Sequence, residues 1–167
     1  MKKILYLSTV CLLAIFMACK KDRNKDNASG ASLKMEVGSE GQVWEGGKGV
    51  VIGASYVDGK HNLTIAGIDK DFNGEVSGFS LVLSQSEEIG TGAYTISSST
   101  DDGASLTKVN GKTYYVGPGA SSAALGLTIT EVSGSGNAKK FKGRFQGQMQ
   151  GASSEDKLGL TGEFSSF

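Results

Sequence analysis

The stretch KKFKGRFQGQMQG, residues 139–151, alternates without interruption. Phe141, Gly143, Phe145, Gly147 and Met149 fall on one side, and Lys140, Lys142, Arg144, Gln146, Gln148 and Gln150 on the other. Successive side chains of a strand point to opposite faces, so this order predicts a long strand with one buried face. A helix would scatter both sets around its circumference. Glycine inside a strand marks a bend or a bulky neighbour pressed onto the backbone. Glycines set between large apolar residues therefore predict a strongly curled sheet.

The same alternation returns in KLGLTGEF, where Leu158, Leu160, Gly162 and Phe164 share a face. Shorter runs rich in β-branched and aromatic residues (HNLTIAG, SGFSLVLS, GAYTIS, KTYYVG and LGLTITEV) are each bounded by turn residues. VDGK (Val57–Lys60) and VNGK (Val109–Lys112) place Asp-Gly and Asn-Gly between strands. That is the composition of a type I′ hairpin turn, whose two central residues both need positive φ. The chain has 25 glycines and one proline, and no helical period free of breakers after Ser32. The expectation is an all-β domain, an antiparallel β-sandwich of about 8–10 strands, with a lipocalin-like closed barrel as the alternative.

The N-terminus has a different order. Lys2 and Lys3 precede an uncharged, mostly apolar run from Ile4 to Met17, then Ala18 and Cys19. The run is too short for a spanning helix, which needs roughly 18 or more apolar residues, and reads as a signal-peptide core. Phe16-Met17-Ala18-Cys19 resembles a bacterial lipobox, which makes residues 1–18 a lipoprotein signal peptide and Cys19 the lipidated residue. Residues 19–32, charged and small with no apolar period, read as a flexible tether. Residues 33–167 are then a single β-domain, expected at the outer membrane through lipid at Cys19.

Composition narrows the chemistry. From Leu33 onward there are eleven Lys and Arg against fifteen Asp and Glu, a net charge of −4 that argues against nucleic acid as a partner. That region has no cysteine, so disulfides and thiolate metal sites are excluded and the core alone must hold it.

Recurring phrases across this domain resemble an uncharacterised β-rich lipoprotein family of the Bacteroidota type. They are Trp44 after a short strand, Leu63-Thr64-Ile65-Ala66-Gly67, Gly92-Ala93-Tyr94 and Gly126-Leu127-Thr128-Ile129-Thr130. Lys142-Gly143-Arg144-Phe145 and Thr161-Gly162-Glu163-Phe164 complete the set. Ala93 stands where that family usually has Thr. The resemblance implies a cell-envelope β-domain and brings no catalytic residues.

Five groups of residues invite a chemical reading. Asp69, Asp71, Asn73 and Gly74 match the opening of an EF-hand calcium loop. The twelfth position is Ser80 rather than the bidentate Glu that closes such a shell, and strands flank both sides. A hairpin connection from Asp69 to Ser80 is the favoured reading, with no metal or other cofactor. Glu87-Glu88 and Asp101-Asp102 could supply paired carboxylates for a carbohydrate-active hydrolase, although adjacent loop acids are more often solvated. His61, the only histidine, has no G-x-S-x-G elbow to serve and reads as a polar surface residue. Tyr114 and Tyr115 must point to opposite faces, one to the core. Lys140, Lys142 and Arg144 read as charges guarding an edge strand, with an acidic partner as the alternative. The functional expectation is a non-enzymatic binding or structural module with a protein or glycan partner, the hydrolase being the alternative.

Overall fold

The computed structural model describes residues 30–47 and 49–167, and these form an all-β domain. The signal-peptide and lipidation readings, residues 1–18 and Cys19, lie outside the described residues, as does most of the tether. In chain order the strands are β1 (Ser32–Val37), β2 (Gln42–Glu45), β3 (Val51–Val57), β4 (Lys60–Phe72), β5 (Glu75–Gln85) and β6 (Gly92–Ser97). They continue as β7 (Gly103–Val109), β8 (Lys112–Val116), β9 (Ala124–Ser133), β10 (Lys140–Gln150) and β11 (Lys157–Ser165). One 3₁₀ turn, Gly136–Ala138, precedes β10. Eleven strands are one more than the top of the expected range. The short runs SLKMEV and ASLTKV, too brief to stand out in the sequence, supply strand positions in β1 and β7. Ala31 already packs on the core, so the fold begins slightly before Leu33.

All pairings are antiparallel, and the sheet forks at β10. One branch runs β2-β1-β11-β10-β9-β6. The other, β8-β7-β5-β4-β3, joins the far end of β10 through the single pair Gln150–Tyr115. The sheet thereby curls into a half-barrel, and its two branches face each other across one core as in a sandwich. Phe79 of β5 stacks on Phe145 of β10 with ring centroids 5.1 Å apart, which puts the two inner faces in direct contact.

The hairpins follow the predicted turn chemistry. Asp58 and Gly59 have φ of 51° and 77°, and Asn110 and Gly111 have 52° and 74°. A third turn of this kind, Asn73-Gly74 at 53° and 77°, joins β4 to β5. The expected long connection from Asp69 to Ser80 is therefore corrected: both strands run through it, and only two residues turn. Two residues, Lys70 and Asp71, bulge out between the pairs Asp69–Ser77 and Phe72–Glu75. The bulge breaks the two-residue period and makes a strand look like a polar loop.

β10 has the predicted inner face, with Phe141, Gly143, Phe145 and Met149 buried. Two readings of this strand need correction. It is not an edge, because β9 and β11 flank it, so Lys142 and Arg144 guard nothing. They point outward opposite Glu131 and Glu163, and cross-strand charge balance accounts for them. Gln150 is buried rather than solvated, since the sheet forks there and its Oε1 accepts bonds from the Ser122 N–H and hydroxyl.

The inward glycines have a specific use. Gly143 pairs with Phe164, and Gly162 pairs with Phe145. A Cβ on Gly162 would run into the Phe145 ring, and one on Gly143 would come within 2.7 Å of the Phe164 ring. Each ring thus packs against the glycine opposite it. Trp44 does the same over Gly46 and Gly67, where a Cβ would sit 3.0 and 3.1 Å from the indole. By contrast, Gly159 on the outer face of β11 has open space where a Cβ would go.

Gly162→Ala is expected to destabilise the domain by at least about 2 kcal/mol, as overpacking against a ring and backbone does, while Gly159→Ala changes stability by under about 0.5 kcal/mol. Urea unfolding of both variants tests this. Equal effects would mean that the rings do not depend on the glycines.

Candidate functional site

The β3–β4 hairpin sets Tyr56 opposite His61, with their rings 4.7 Å apart. Both lie on the strand faces that turn toward the core, His61 half-buried and Tyr56 exposed. Two further segments close on this pair. The connection after β5 brings Glu88 and the buried Ile89, and its shape is pinned by Tyr94. The Tyr94 hydroxyl donates to the Gly90 carbonyl at 3.0 Å and accepts the Gly90 N–H at 3.2 Å. The segment around the 3₁₀ turn brings Asn137 and Lys139. Between them lies a cleft of about 100 Å³ with Ala54, Ile89 and Phe141 at its base.

Lys139 is the electrostatic centre of this cleft. Its side chain is only 12% exposed, and its Nζ lies 2.7 Å from Glu88 Oε1 and donates to the Ile89 carbonyl at 3.3 Å. The hydrogen bond and charge of Lys139 hold the Glu88 carboxyl below its usual range, against a small opposing effect of burial, and His61 adds to the lowering. The cleft therefore combines a compensated ion pair, a ring pair and an apolar base. Such a site can hydrogen-bond a small polar ligand and stack against its apolar side. The sequence marks His61 and Glu88 separately; nothing in their spacing joins them, and Lys139 and Tyr56 carry no signal at all.

The other acidic candidates are engaged elsewhere. Asp101 is exposed and pairs with Lys60 at 2.7 Å, which lowers its proton affinity and raises that of Lys60. Asp102 corrects the expectation of a solvated loop acid: it is 2% exposed, and its Oδ1 accepts the Ser84 N–H at 2.6 Å. That N–H lies just past the last β5–β7 pair, Val82–Gly103, so the carboxylate continues the ladder where the backbone of β7 stops. Glu87 is exposed. At the opposite end of the domain, Asp156 accepts bonds from Lys112 at 3.1 Å and from the Tyr114 hydroxyl at 3.3 Å. Tyr114 is the core-facing tyrosine, and burial followed by the Asp156 charge raises its pKa. Tyr115 is half-buried on the other face.

Asp69, Asp71 and Asn73 fall on the bulge and the turn. Asp69 Oδ1 accepts the Asp71 N–H at 3.0 Å, a donor that the bulge removes from the ladder. Asp69 Oδ2 accepts the Glu45 N–H at 2.9 Å, tying β2 to β4. Asn73 donates to the Gln42 side chain at 2.8 Å. These residues thus fasten the edge strand β2 onto the opposite branch of the sheet. Among the described residues, no group of three or more His, Cys, Asp or Glu is placed to hold a metal ion.

Comparison of the chain with family models, curated proteins and solved structures finds no match.

Asp69→Ala is expected to cost about 1 kcal/mol by freeing two backbone donors, equally in chelator and in millimolar calcium. Melting curves in the two buffers decide the matter. A calcium-dependent rise of several degrees that Asp69→Ala removes would establish a metal loop.

Proposed function

We propose that this chain is a lipid-anchored cell-envelope lipoprotein whose β-domain binds a small polar ligand without transforming it. The observation that carries the binding reading is the convergence of Tyr56, His61, Glu88, Asn137 and Lys139 on one cleft from three separate segments. Glycoside hydrolysis would need two carboxyl groups about 5–9.5 Å apart across the bond to be cut. Glu88 is the one carboxylate among the described residues lining the cleft, and Lys139 already neutralises it.

The anchor reading rests on Lys2, Lys3, the apolar run to Met17 and the Ala18-Cys19 junction. The resemblance to the Bacteroidota-type lipoproteins points the same way and suggests the outer membrane. The described chain enters the fold at Gly30, directly against Phe167. Ser166 beside it bonds the Phe141 backbone, and Phe141 forms part of the base of the cleft. In this reading the cleft and the tether share one end of the domain.

Cells fed labelled palmitate are expected to label the full chain, and Cys19→Ala to abolish both labelling and signal-peptide removal. Undiminished labelling of that variant contradicts the anchor. A glycan array tests the ligand class, with Tyr56→Ala expected to weaken any specific signal about tenfold, equivalent to about 1.4 kcal/mol. A signal unchanged by Tyr56→Ala would place binding outside the cleft, and a silent array would exclude the glycans it carries.

A further inference from the structure

The ion pair in the cleft is unequal. Lys139 is held in place: its side chain is 12% exposed, and its Nζ donates to the carbonyl of Ile89, a residue buried in the core. Its own backbone N–H bonds the Gly136 carbonyl at 3.3 Å, which fixes the chain just before β10. Glu88 is placed differently. It lies in the connection between β5 and β6, and its side chain is 64% exposed. Because Ile89 beside it is anchored, Glu88 can leave Lys139 by changing its own rotamer, with the backbone in place.

The two partners lose different amounts on separation. A buried ammonium without an anion is strongly unfavourable, so Lys139 needs a negative partner whether or not a ligand is present. A carboxylate already largely in water loses little by returning to it. A cationic ligand would have to take Glu88 and strand Lys139. A neutral ligand leaves the pair as it is and reaches only the rim of the cleft. An anion alone can displace Glu88 and leave the lysine compensated. It meets a second favourable group there, because the positive charge of His61 acts on the carboxyl at the Glu88 position. The exposed Tyr56 ring, tilted 50° to His61, gives the same cleft a flat wall.

We propose that the cleft takes a small carboxylic acid carried on a ring, and that Glu88 occupies the place of its carboxylate until it arrives. The ligand carboxylate accepts from Lys139 Nζ, which keeps its bond to the Ile89 carbonyl, and Glu88 swings into water. The ring lies against Tyr56, over the apolar base of Ala54, Ile89 and Phe141. At about 100 Å³ the cleft suits one ring rather than a chain of them. One charge-assisted hydrogen bond replaces another, so the net gain lies in the ring contact and in the freed Glu88 side chain. Glu88 is thus a built-in competitor that lowers the apparent affinity. A sugar acid and an aromatic acid share this chemistry. This ligand class rests on the reading of the cleft as a binding site.

The full chain, nitrogen-15-labelled and held in detergent micelles, is titrated with two acids and their neutral partners, glucuronate against glucose and benzoate against benzamide. The NMR signals of the Ile89 and Lys139 amides report binding at the cleft. One acid is expected to shift both signals with a Kd at least about tenfold below that of its neutral partner. The pair that responds tells a sugar acid from an aromatic one. Glu88→Gln keeps a hydrogen bond to Lys139 and drops the charge, and its exposed side chain spares the fold. It is expected to tighten that acid about threefold or more and to leave the neutral partner within about twofold. An acid that binds no better than its neutral partner, or that Glu88→Gln weakens, would overturn the ligand class while leaving the cleft a binding site. No shift from any of the four would overturn the ligand class and, with a silent glycan array, the binding reading too.

Discussion

Two phenylalanines lying over two glycines hold this domain in register. Phe145 covers Gly162 and Phe164 covers Gly143, each ring on the backbone of the strand beside its own. A slip of β11 by one residue against β10 would turn Phe164 to the charged outer face and put Glu163 inside. The register is therefore specified by shape and polarity together. The rings also reach beyond their own branch of the sheet. Phe164 lies 6.5 Å from Phe145, Phe145 stacks on Phe79 of the facing branch, and Phe79 meets the edge of Trp44 at 6.3 Å. This relay runs from β11 through β10 and β5 to β2, and so connects the two inner faces. Its last member carries a cost, because Trp44 Nε1 is buried with no acceptor among the described residues. An unmet donor of this kind costs about 1–3 kcal/mol. Burial of the whole indole, worth roughly the same or more, offsets it.

Much of this architecture can be read along the chain because it depends on nearest neighbours. Alternation in residues 140–149 specifies which side of β10 is buried, and Asp-Gly and Asn-Gly specify the tight turns. The inward glycines predict rings above them without saying whose. What could not be read depends on partners distant in sequence or on a local break in period. The bulge at Lys70 and Asp71 disguised the continuous β4–β5 hairpin as a loop with calcium-like spelling. The charged stripe of β10 looks the same on an edge strand as on a central one, and only β9 and β11 decide between them. Asp102 and Gln150 are polar residues made internal by a ladder end and a fork, neither of which has a local signature. The cleft has the same character. Its residues come from positions 54–62, 88–89 and 136–141, and no spacing rule joins them.

The acidic residues divide according to what they have been given to bond. Asp69 and Asp102 satisfy backbone donors that the sheet leaves over at a bulge and a ladder end, and Asp156 accepts from the Lys112 and Tyr114 side chains. Glu88 is engaged by a lysine inside the cleft. A domain that uses its carboxylates as fasteners, and its largest side chains to lock register, is built for a rigid shape. That rigidity suits the proposed binding role, in which the ligand meets a preformed surface rather than one that closes around it.

The two branches are held together through the ring contact between Phe79 and Phe145. A double-mutant cycle with Phe79→Leu, Phe145→Leu and the double variant, each unfolded in urea, measures that contact apart from the loss of apolar area. A favourable coupling of about 0.5–1.5 kcal/mol is expected, the range for stacked aromatic pairs. Strict additivity of the two substitutions would contradict it.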